Sequence, residues 1–301
     1  MDTSEQLYET EATGWKRGLY EDVKRTFRAP FVNWIFRTTM ANEPAFLRYA
    51  WGQVKPIFET RGFARFSAAY HDELLSVGDA RELPTYRCEE LELRPAEYRE
   101  LRGQLATFDA VGPRLAALFE VMDRSLRGEP VGAGPDEAVG AGPDEARVAT
   151  EPFPEWFDRD RGLPPTMVAP DGVPDELEET VDAIEAFHGL GDQLPSVYRC
   201  LAQWPGYLTR AWGDLEPVFR SDEFDAAGER VDDRLDRFVR STPYRPRLAP
   251  EDLRGVGFDG ETIDGVQWLF RRFNRGPARG VVRTLPAYAS TVDAAGRRTG
   301  P

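Results

Sequence analysis

The segment PAFLRYAWGQVKPIF (44–58) decides the fold, because a second version of it, PGYLTRAWGDLEPVF, stands at 205–219. Seven of the fifteen positions are identical at a constant offset of 161 residues, and most of the others are conservative. Apolar residues recur at helical spacing in both copies, and each copy begins with a proline, which suits the first turn of a helix. The pattern predicts two equivalent helices in which Trp51 and Trp212 are core aromatics.

Weaker similarity continues on both sides of this block and in the same order. Upstream, VNWIFRTTM (32–40) pairs with LPSVYRCLA (194–202); downstream, TFDAV (107–111) pairs with TIDGV (262–266). Matching segments in the same order indicate an internal duplication. Two copies are too few for a solenoid, so a pseudo-twofold pairing of the halves is the expected arrangement.

A low-complexity segment separates the halves, since the octapeptide VGAGPDEA occurs at 131–138 and again at 139–146. Glycine, proline and acidic residues without an aromatic predict a flexible linker over 128–149. The first helical repeat is then 1–127 and the second 150–301. Further helices are predicted at 19–27, 95–105, 110–126, 174–188 and 261–273. No convincing alternating strands occur, so the expected fold class is all-α.

The charge balance limits the partners of the chain. Its formal net charge is −14, and only three of its 38 basic residues are lysines. This acidity argues against nucleic acid or an anionic membrane as the main partner, and it remains compatible with a small anionic substrate and with a homodimer. The lysine-poor composition indicates either a halophilic, salt-adapted protein or a GC-rich codon bias. The first residues lack the apolar stretch of a signal peptide, which favours a cytoplasmic location.

Cysteine and histidine are scarce, which excludes several kinds of site. Cys88 and Cys200 form no CxxC pair, and His71 and His188 are the only histidines. A disulfide scaffold, a cysteine-rich zinc site and a multi-histidine metal centre are therefore not expected, and no cofactor is predicted. His188 precedes a glycine at the end of a helical pattern and is expected at a helix C-terminus, whereas His71 is expected at the surface.

Three segments together carry a resemblance to a known family. FVNWIFRTTMANEPAFLRYAWGQVKPIF, LPSVYRCLAQWPGYLTRAWGDLEPVF and RRFNRGPARGVVRTLP resemble the group I 2-haloacid dehalogenase (DehI-type) family, which is similar to the wider AhpD-like helical superfamily. The resemblance covers residues 15–127 and 174–290. It implies an all-helical pseudo-dimer with one active site between the halves. It also implies hydrolysis of the carbon–halogen bond of short 2-haloalkanoic acids by an Asp-activated water, without a covalent intermediate, metal or cofactor.

The same resemblance identifies a first set of candidate site residues in the second repeat. The family's base lies beside a serine at the start of the helix that matches LPSVYR. Ser196 matches that serine, and Val197 occupies the expected acidic position, so both are candidate substrate-binding residues. The nearest carboxylate is Asp192, which is a candidate catalytic base. Its alternative role is helix capping or loop solvation.

A second set of candidates lies in the first repeat. Asn33, Trp34 and Phe36 match a segment where the family has aromatic pocket residues, and they are candidate substrate-binding residues. Asp109 stands near a position where the family uses an asparagine to orient water. A carboxylate there could itself act as a base, which makes Asp109 the second catalytic candidate. Asp109 and Asp264 could instead be N-caps of the helices that follow.

Three functions remain open from the sequence. The first is a hydrolase of 2-haloacids, which the matched segments favour. The second is a catalytically degenerate relative that binds a small carboxylate, which Val197 at the acidic position favours. The third is an AhpD-like redox protein, and the absence of a CxxC pair disfavours it.

Overall fold

A computed structural model describes residues 1–79, 83–132, 162–191 and 194–294, and in these residues the secondary structure is helical without a strand. The predicted all-α class is confirmed. Twelve α-helices lie in the described ranges: α1 (Gly14–Phe27), α2 (Trp34–Asn42), α3 (Pro44–Val54), α4 (Arg61–Leu75), α5 (Pro95–Leu126), α6 (Glu178–His188), α7 (Ser196–Leu201), α8 (Pro205–Phe219), α9 (Asp222–Arg240), α10 (Pro250–Gly255), α11 (Gly260–Arg275) and α12 (Pro277–Ser290).

The repeated block forms α3 and α8, as its pattern predicts. In each helix a proline occupies the first turn, where its missing N–H costs no intrahelical hydrogen bond. Trp51 is 5% exposed and Trp212 is 4% exposed, so both are core residues. Beyond Val54 the chain continues as a 3-10 turn. The internal duplication itself stays a prediction.

Helix α5 is longer than the sequence pattern predicts. The stretches expected at 95–105 and 110–126 are one continuous helix of 32 residues. Of the residues that bridge them, Thr107, Phe108 and Asp109 are buried. Burial of this face stabilises the helix where its sequence pattern is interrupted. The N-cap interpretation of Asp109 and Asp264 is wrong, because both lie inside helices.

The chain divides into two compact units, each of which takes segments from both halves of the sequence. The first unit contains 1–67, 114–158 and 234–275, over the described part of these ranges. The second unit contains 68–113, 159–233 and 276–301, again over the described part. The division into repeats 1–127 and 150–301 with a linker at 128–149 stays a prediction, and most of that linker lies outside the described residues.

Each unit has its own aromatic core. In the first unit, Phe27 contacts Phe36, Trp51 and Phe58 with ring-centroid distances of 5.3, 6.0 and 5.0 Å. In the second unit the core is rich in tyrosine, and Tyr198, Tyr207 and Tyr288 are at most 1% exposed. Within the described ranges, no helix combines the length and the apolarity needed to cross a lipid bilayer.

Candidate active site

Two fully buried side chains, His71 on α4 and Asp109 on α5, meet inside the second unit. The His71 Nε2 atom lies 3.0 Å from the Asp109 carboxylate Oδ1 and 3.1 Å from the Asp109 backbone carbonyl oxygen. Because a carbonyl oxygen can only accept a hydrogen bond, Nε2 carries a hydrogen and donates it to the Asp109 carbonyl oxygen. The imidazole ring is therefore anchored to the backbone of Asp109 and lies directly beside its carboxylate.

Pro113 explains why the backbone carbonyl of Asp109 accepts from a side chain. Pro113 lies inside α5, four residues after Asp109, and proline has no N–H to donate to the carbonyl of residue i−4. A buried carbonyl left without a donor would cost about 1–3 kcal/mol. His71 supplies the missing donor. In the sequence, Pro113 signals only that the carbonyl of residue 109 has no intrahelical donor, and it does not indicate which side chain replaces it.

The prediction that His71 lies at the surface is wrong. Its polar neighbours in the sequence, Asp72 and Glu73, suggest a solvated face, but His71 and Tyr70 are both enclosed. The Tyr70 hydroxyl donates to the Val282 carbonyl oxygen at 3.0 Å, and its ring lies edge-on to the His71 ring. Burial raises the pKa of Tyr70 well above its usual value. Packing against neighbouring helices decides the burial of this pair, and no local pattern encodes it.

The start of α7 holds the second group of predicted site residues. Ser196 is the first residue of the helix and is half-buried, and Val197 follows it with 4% exposure. The position where the resemblance expects a carboxylate is thus occupied by a buried apolar side chain. The other catalytic candidate of this region, Asp192, lies outside the described residues.

Three polar side chains, those of His188, Tyr198 and Thr284, form a hydrogen-bonded row at the first turn of α7. The Tyr198 hydroxyl is 2.6 Å from His188 Nε2 and 3.5 Å from the Thr284 hydroxyl, and Thr284 in turn donates to the Val281 carbonyl oxygen at 2.9 Å. His188 is the last residue of α6, as predicted, and Gly189 after it has a positive φ of 67°. Burial lowers the pKa of His188 to about 4, so the ring is neutral at pH 7.

This shift predicts a pH dependence of stability between about pH 4 and 6.5. The unfolded chain binds a proton at His188 in this window and the folded chain does not, so the free energy of unfolding falls as the pH falls, by at most about 1.4 kcal/mol per pH unit. His188→Gln keeps an amide near Tyr198 and removes the titration. We expect a shallower slope in the variant, measured by urea unfolding at several pH values.

The comparison isolates His188, because every other titratable group is the same in both proteins. Equal slopes in the two proteins between pH 5 and 6.5 would contradict the assignment.

The candidates of the first repeat lie in the first unit, at the start of α2. Asn33 precedes the helix as its N-cap residue, but its side chain makes no capping hydrogen bond. The Asn33 Oδ1 and Trp34 Nε1 atoms are buried and have no hydrogen-bond partner within the described part of the chain. Unpaired buried polar atoms are costly in a core, and they are frequent where a ligand is bound.

Trp34 and Phe36 have different surroundings. The half-buried Trp34 ring lies 5.0 Å from the ring of Phe273, centroid to centroid, at an interplanar angle of 63°. Phe36 is 2% exposed and packs edge-on against Phe27 and Trp51. Its contacts are those of a core residue, whereas Trp34 combines an apolar ring with an unpaired N–H. Trp34 and Asn33 are therefore better placed than Phe36 to contact a polar ligand.

The two cysteines are both free thiols. Cys200 is buried, its Sγ lies 2.9 Å from Gln104 Oε1, and burial raises the pKa of its thiol to about 12. A buried thiol that stays protonated is a poor nucleophile, which disfavours the redox hypothesis. Among the described residues, no group of three or more His, Cys, Asp and Glu side chains could hold a metal ion.

Comparison with known proteins finds similarity to one family of enzymes. The family model described as "Halocarboxylic acid dehydrogenase DehI" matches residues 30–172. A "2-haloacid dehalogenase, configuration-inverting" from Pseudomonas sp. (strain 113) is 25% identical over 96% of this chain and 92% of the relative. An "(R)-2-haloacid dehalogenase" from Pseudomonas putida is 24% identical over 83% of each chain. These matches show that the chain is similar to halocarboxylic acid dehalogenases of the DehI type.

Solved structures share the fold. A structure described as "The complex structure of D-2-haloacid dehalogenase mutant with D-2-CPA" superposes with a TM-score of 0.76 at 22% identity, and covers 95% of this chain and 94% of that chain. A second, described as a complex of D-2-haloacid dehalogenase with L-LA, has a TM-score of 0.72 at 20% identity and covers 95% of each chain. At these identities the likeness shows the fold alone.

Proposed function

We propose that this protein hydrolyses the carbon–halogen bond of short 2-haloalkanoic acids, with Asp109 as the base that activates the attacking water. The observation that carries the proposal is the buried close contact between the His71 and Asp109 side chains, whose Nε2 and Oδ1 atoms lie 3.0 Å apart. A carboxyl group held beside an imidazole ring is a suitable general base, and both side chains are fully buried. Similarity to 2-haloacid dehalogenases supports this class of substrate.

The proposed reaction is a direct displacement. The water oxygen attacks C2 of the substrate while Asp109 accepts its proton, and the carbon–halogen bond breaks with the electron pair leaving on the halide. The products are the 2-hydroxy acid, the halide ion and a protonated carboxyl group, which then releases its proton to solvent. General-base assistance of this kind contributes about 10²- to 10⁴-fold to the rate. No covalent ester forms, and the configuration at C2 is inverted.

Asn33 and Trp34 are the proposed substrate-binding residues of the first unit. Their unpaired buried atoms offer a hydrogen-bond acceptor and a donor, and the adjoining N-terminus of the nine-residue helix α2 favours an anion. A substrate carboxylate would be compatible with both features. Ser196 and Val197 stay proposed as a polar and an apolar contact of the second unit, and Asp192 stays an alternative base.

One observation favours a second candidate function, a protein that binds a small carboxylate without turning it over. Val197 is apolar and buried at the position where the family resemblance expects the base. If Asp109 does not replace that base, ligand binding would persist and hydrolysis would be absent.

Measurement of halide release separates the two functions. We expect halide release from at least one enantiomer of 2-chloropropionate, together with a rise in melting temperature on adding the substrate or its 2-hydroxy product. A rise in melting temperature without halide release would favour the binding protein. If folded protein shows neither halide release nor a rise in melting temperature, in low-salt and in high-salt buffer, both proposed functions are contradicted.

A further inference from the structure

An extended segment, residues 162–168, runs along helix α5 and is hydrogen-bonded to it; we call this segment the strap. The Leu163 N–H donates to the Gly103 carbonyl oxygen at 2.7 Å, and the Thr107 hydroxyl donates to the Leu163 carbonyl oxygen at 2.7 Å. Strap and helix both belong to the second unit. The strap is thus attached to the turn of α5 that precedes Asp109.

The same strap is also bonded to α7 and to the residues after it. The Val168 N–H donates to the Arg199 carbonyl oxygen at 3.1 Å, and the Arg199 guanidinium returns two hydrogen bonds to the Val168 carbonyl oxygen at 3.0 and 2.8 Å. Gln203 Nε2 donates to the Thr166 carbonyl oxygen at 2.8 Å. Arg199 lies two residues after Val197, so these bonds act close to the start of α7.

Gln104 joins the strap, α5 and α7 at one point. This side chain is 1% exposed and belongs to α5. Its Oε1 accepts from the Thr166 N–H and from the Cys200 thiol, each at 2.9 Å, and its Nε2 donates to the Thr166 hydroxyl at 2.9 Å and to Glu100 at 3.1 Å. A buried amide whose bonds are satisfied by three different segments fixes their relative positions.

Two glycines allow the strap to approach α5 this closely. A Cβ atom on Gly103 would lie 2.5 Å from the Leu163 side chain, and one on Gly162 would overlap the backbone of Gly103 and Thr107. The overlap at Gly162 involves backbone atoms, so a rotamer change cannot relieve it. Any side chain at Gly162 would therefore lift the strap from α5.

We infer that the strap sets the position of α7 against α5, and that Gln104 and Thr166 are positioning residues for the catalytic site. Asp109 lies five residues after Gln104 on α5, and Val197 lies three residues before Cys200 on α7. A shift of one helix along the other would move the proposed base relative to the start of α7, and small misplacements reduce catalysis strongly. The role of these residues in catalysis rests on the proposed function; the effect of the strap on the position of α7 does not.

The test uses the two thiols of the full-length chain as reporters. In Gly162→Ala and in Thr166→Val, we expect alkylation of Cys200 by iodoacetamide to be about tenfold faster or more than in the wild type, because the buried thiol is exposed by local opening. The rate at Cys88, which is half-buried, should change less than about twofold. Peptide mass spectrometry reports the two sites separately. Where halide release is measurable, kcat should fall while KM changes little.

Gly213→Ala is the matched control, because the same substitution on α8 meets no atom within 4 Å. It should leave the alkylation of Cys200 and the kcat unchanged. Unchanged alkylation of Cys200 in folded Gly162→Ala, or in Thr166→Val if the former does not fold, would overturn the inference. If the wild type releases no halide, the proposed function fails. The alkylation rates alone then decide whether the strap sets the position of α7 against α5. Faster alkylation of Cys200 with an unchanged kcat would show that the strap has no catalytic role. That result would overturn the assignment of Gln104 and Thr166 as positioning residues.

Discussion

Replacement of Asp109 by asparagine is expected to lower kcat for halide release by about 10²- to 10⁴-fold, the usual effect of removing a general base. Asparagine has almost the same shape, and the hydrogen bond from His71 Nε2 to the backbone carbonyl oxygen of residue 109 does not depend on the side chain. The packing of the buried pair is retained while the proton acceptor is lost. Steady-state kinetics with the preferred 2-chloropropionate enantiomer would measure the effect.

Asp264→Asn is the matched control. It makes the same chemical change at an exposed carboxylate on α11, away from the buried pair of His71 and Asp109. Its kcat should equal that of the wild type. A kcat for Asp109→Asn within about threefold of the wild type would exclude Asp109 as the base. Asp192→Asn would then be the decisive substitution.

The double variant Asp109→Asn with Val197→Asp is expected to recover at least about tenfold of the activity that Asp109→Asn alone removes. The exchange places a carboxylate at position 197 and an amide at position 109, which is the distribution that the family resemblance implies. Val197 is 4% exposed, so a carboxylate there costs stability, by roughly 1–3 kcal/mol if it finds hydrogen-bond donors. Halide release and thermal unfolding of the single and double variants would measure both effects.

Val197→Asn in the Asp109→Asn background is the matched control for the exchange. Asparagine has the shape and polarity of aspartate without a basic carboxylate, so it should lower stability without restoring turnover. Equal activity of the two double variants would show that position 197 does not accept a working base. If the wild type is inactive and Val197→Asp turns the substrate over, the result would instead favour the second function, in which the wild-type protein binds a small carboxylate without hydrolysing it.

The helices of the repeated block were predictable because their signals are local. Proline in the first turn and apolar residues at helical spacing act within a few residues, and they place α3 and α8 correctly. The interruption expected in α5 was wrong, since buried packing of Phe108 and its neighbours overrides a break in the pattern. The compact units were not predictable from the order of the segments, because each unit takes helices from both halves of the chain.

The candidate site was predictable only in part. The resemblance identifies Asp109, Val197 and the Asn33–Phe36 segment by position, and it says nothing of His71. His71 is separated from Asp109 by 38 residues, and its neighbours in the sequence indicate a solvated face. Its pairing depends on two helices being packed against each other, which a single sequence does not report.

By itself, the sequence determined the helical class, the starts of the repeated helices and the family resemblance, because helix formation and motif identity are properties of neighbouring residues. Only the tertiary structure decided that Asp109 is buried against His71 and that Pro113 leaves a carbonyl for that histidine. It also decided that the strap ties α5 to α7. These features are contacts between segments far apart in the chain, and the free energy of packing selects them where local propensity does not.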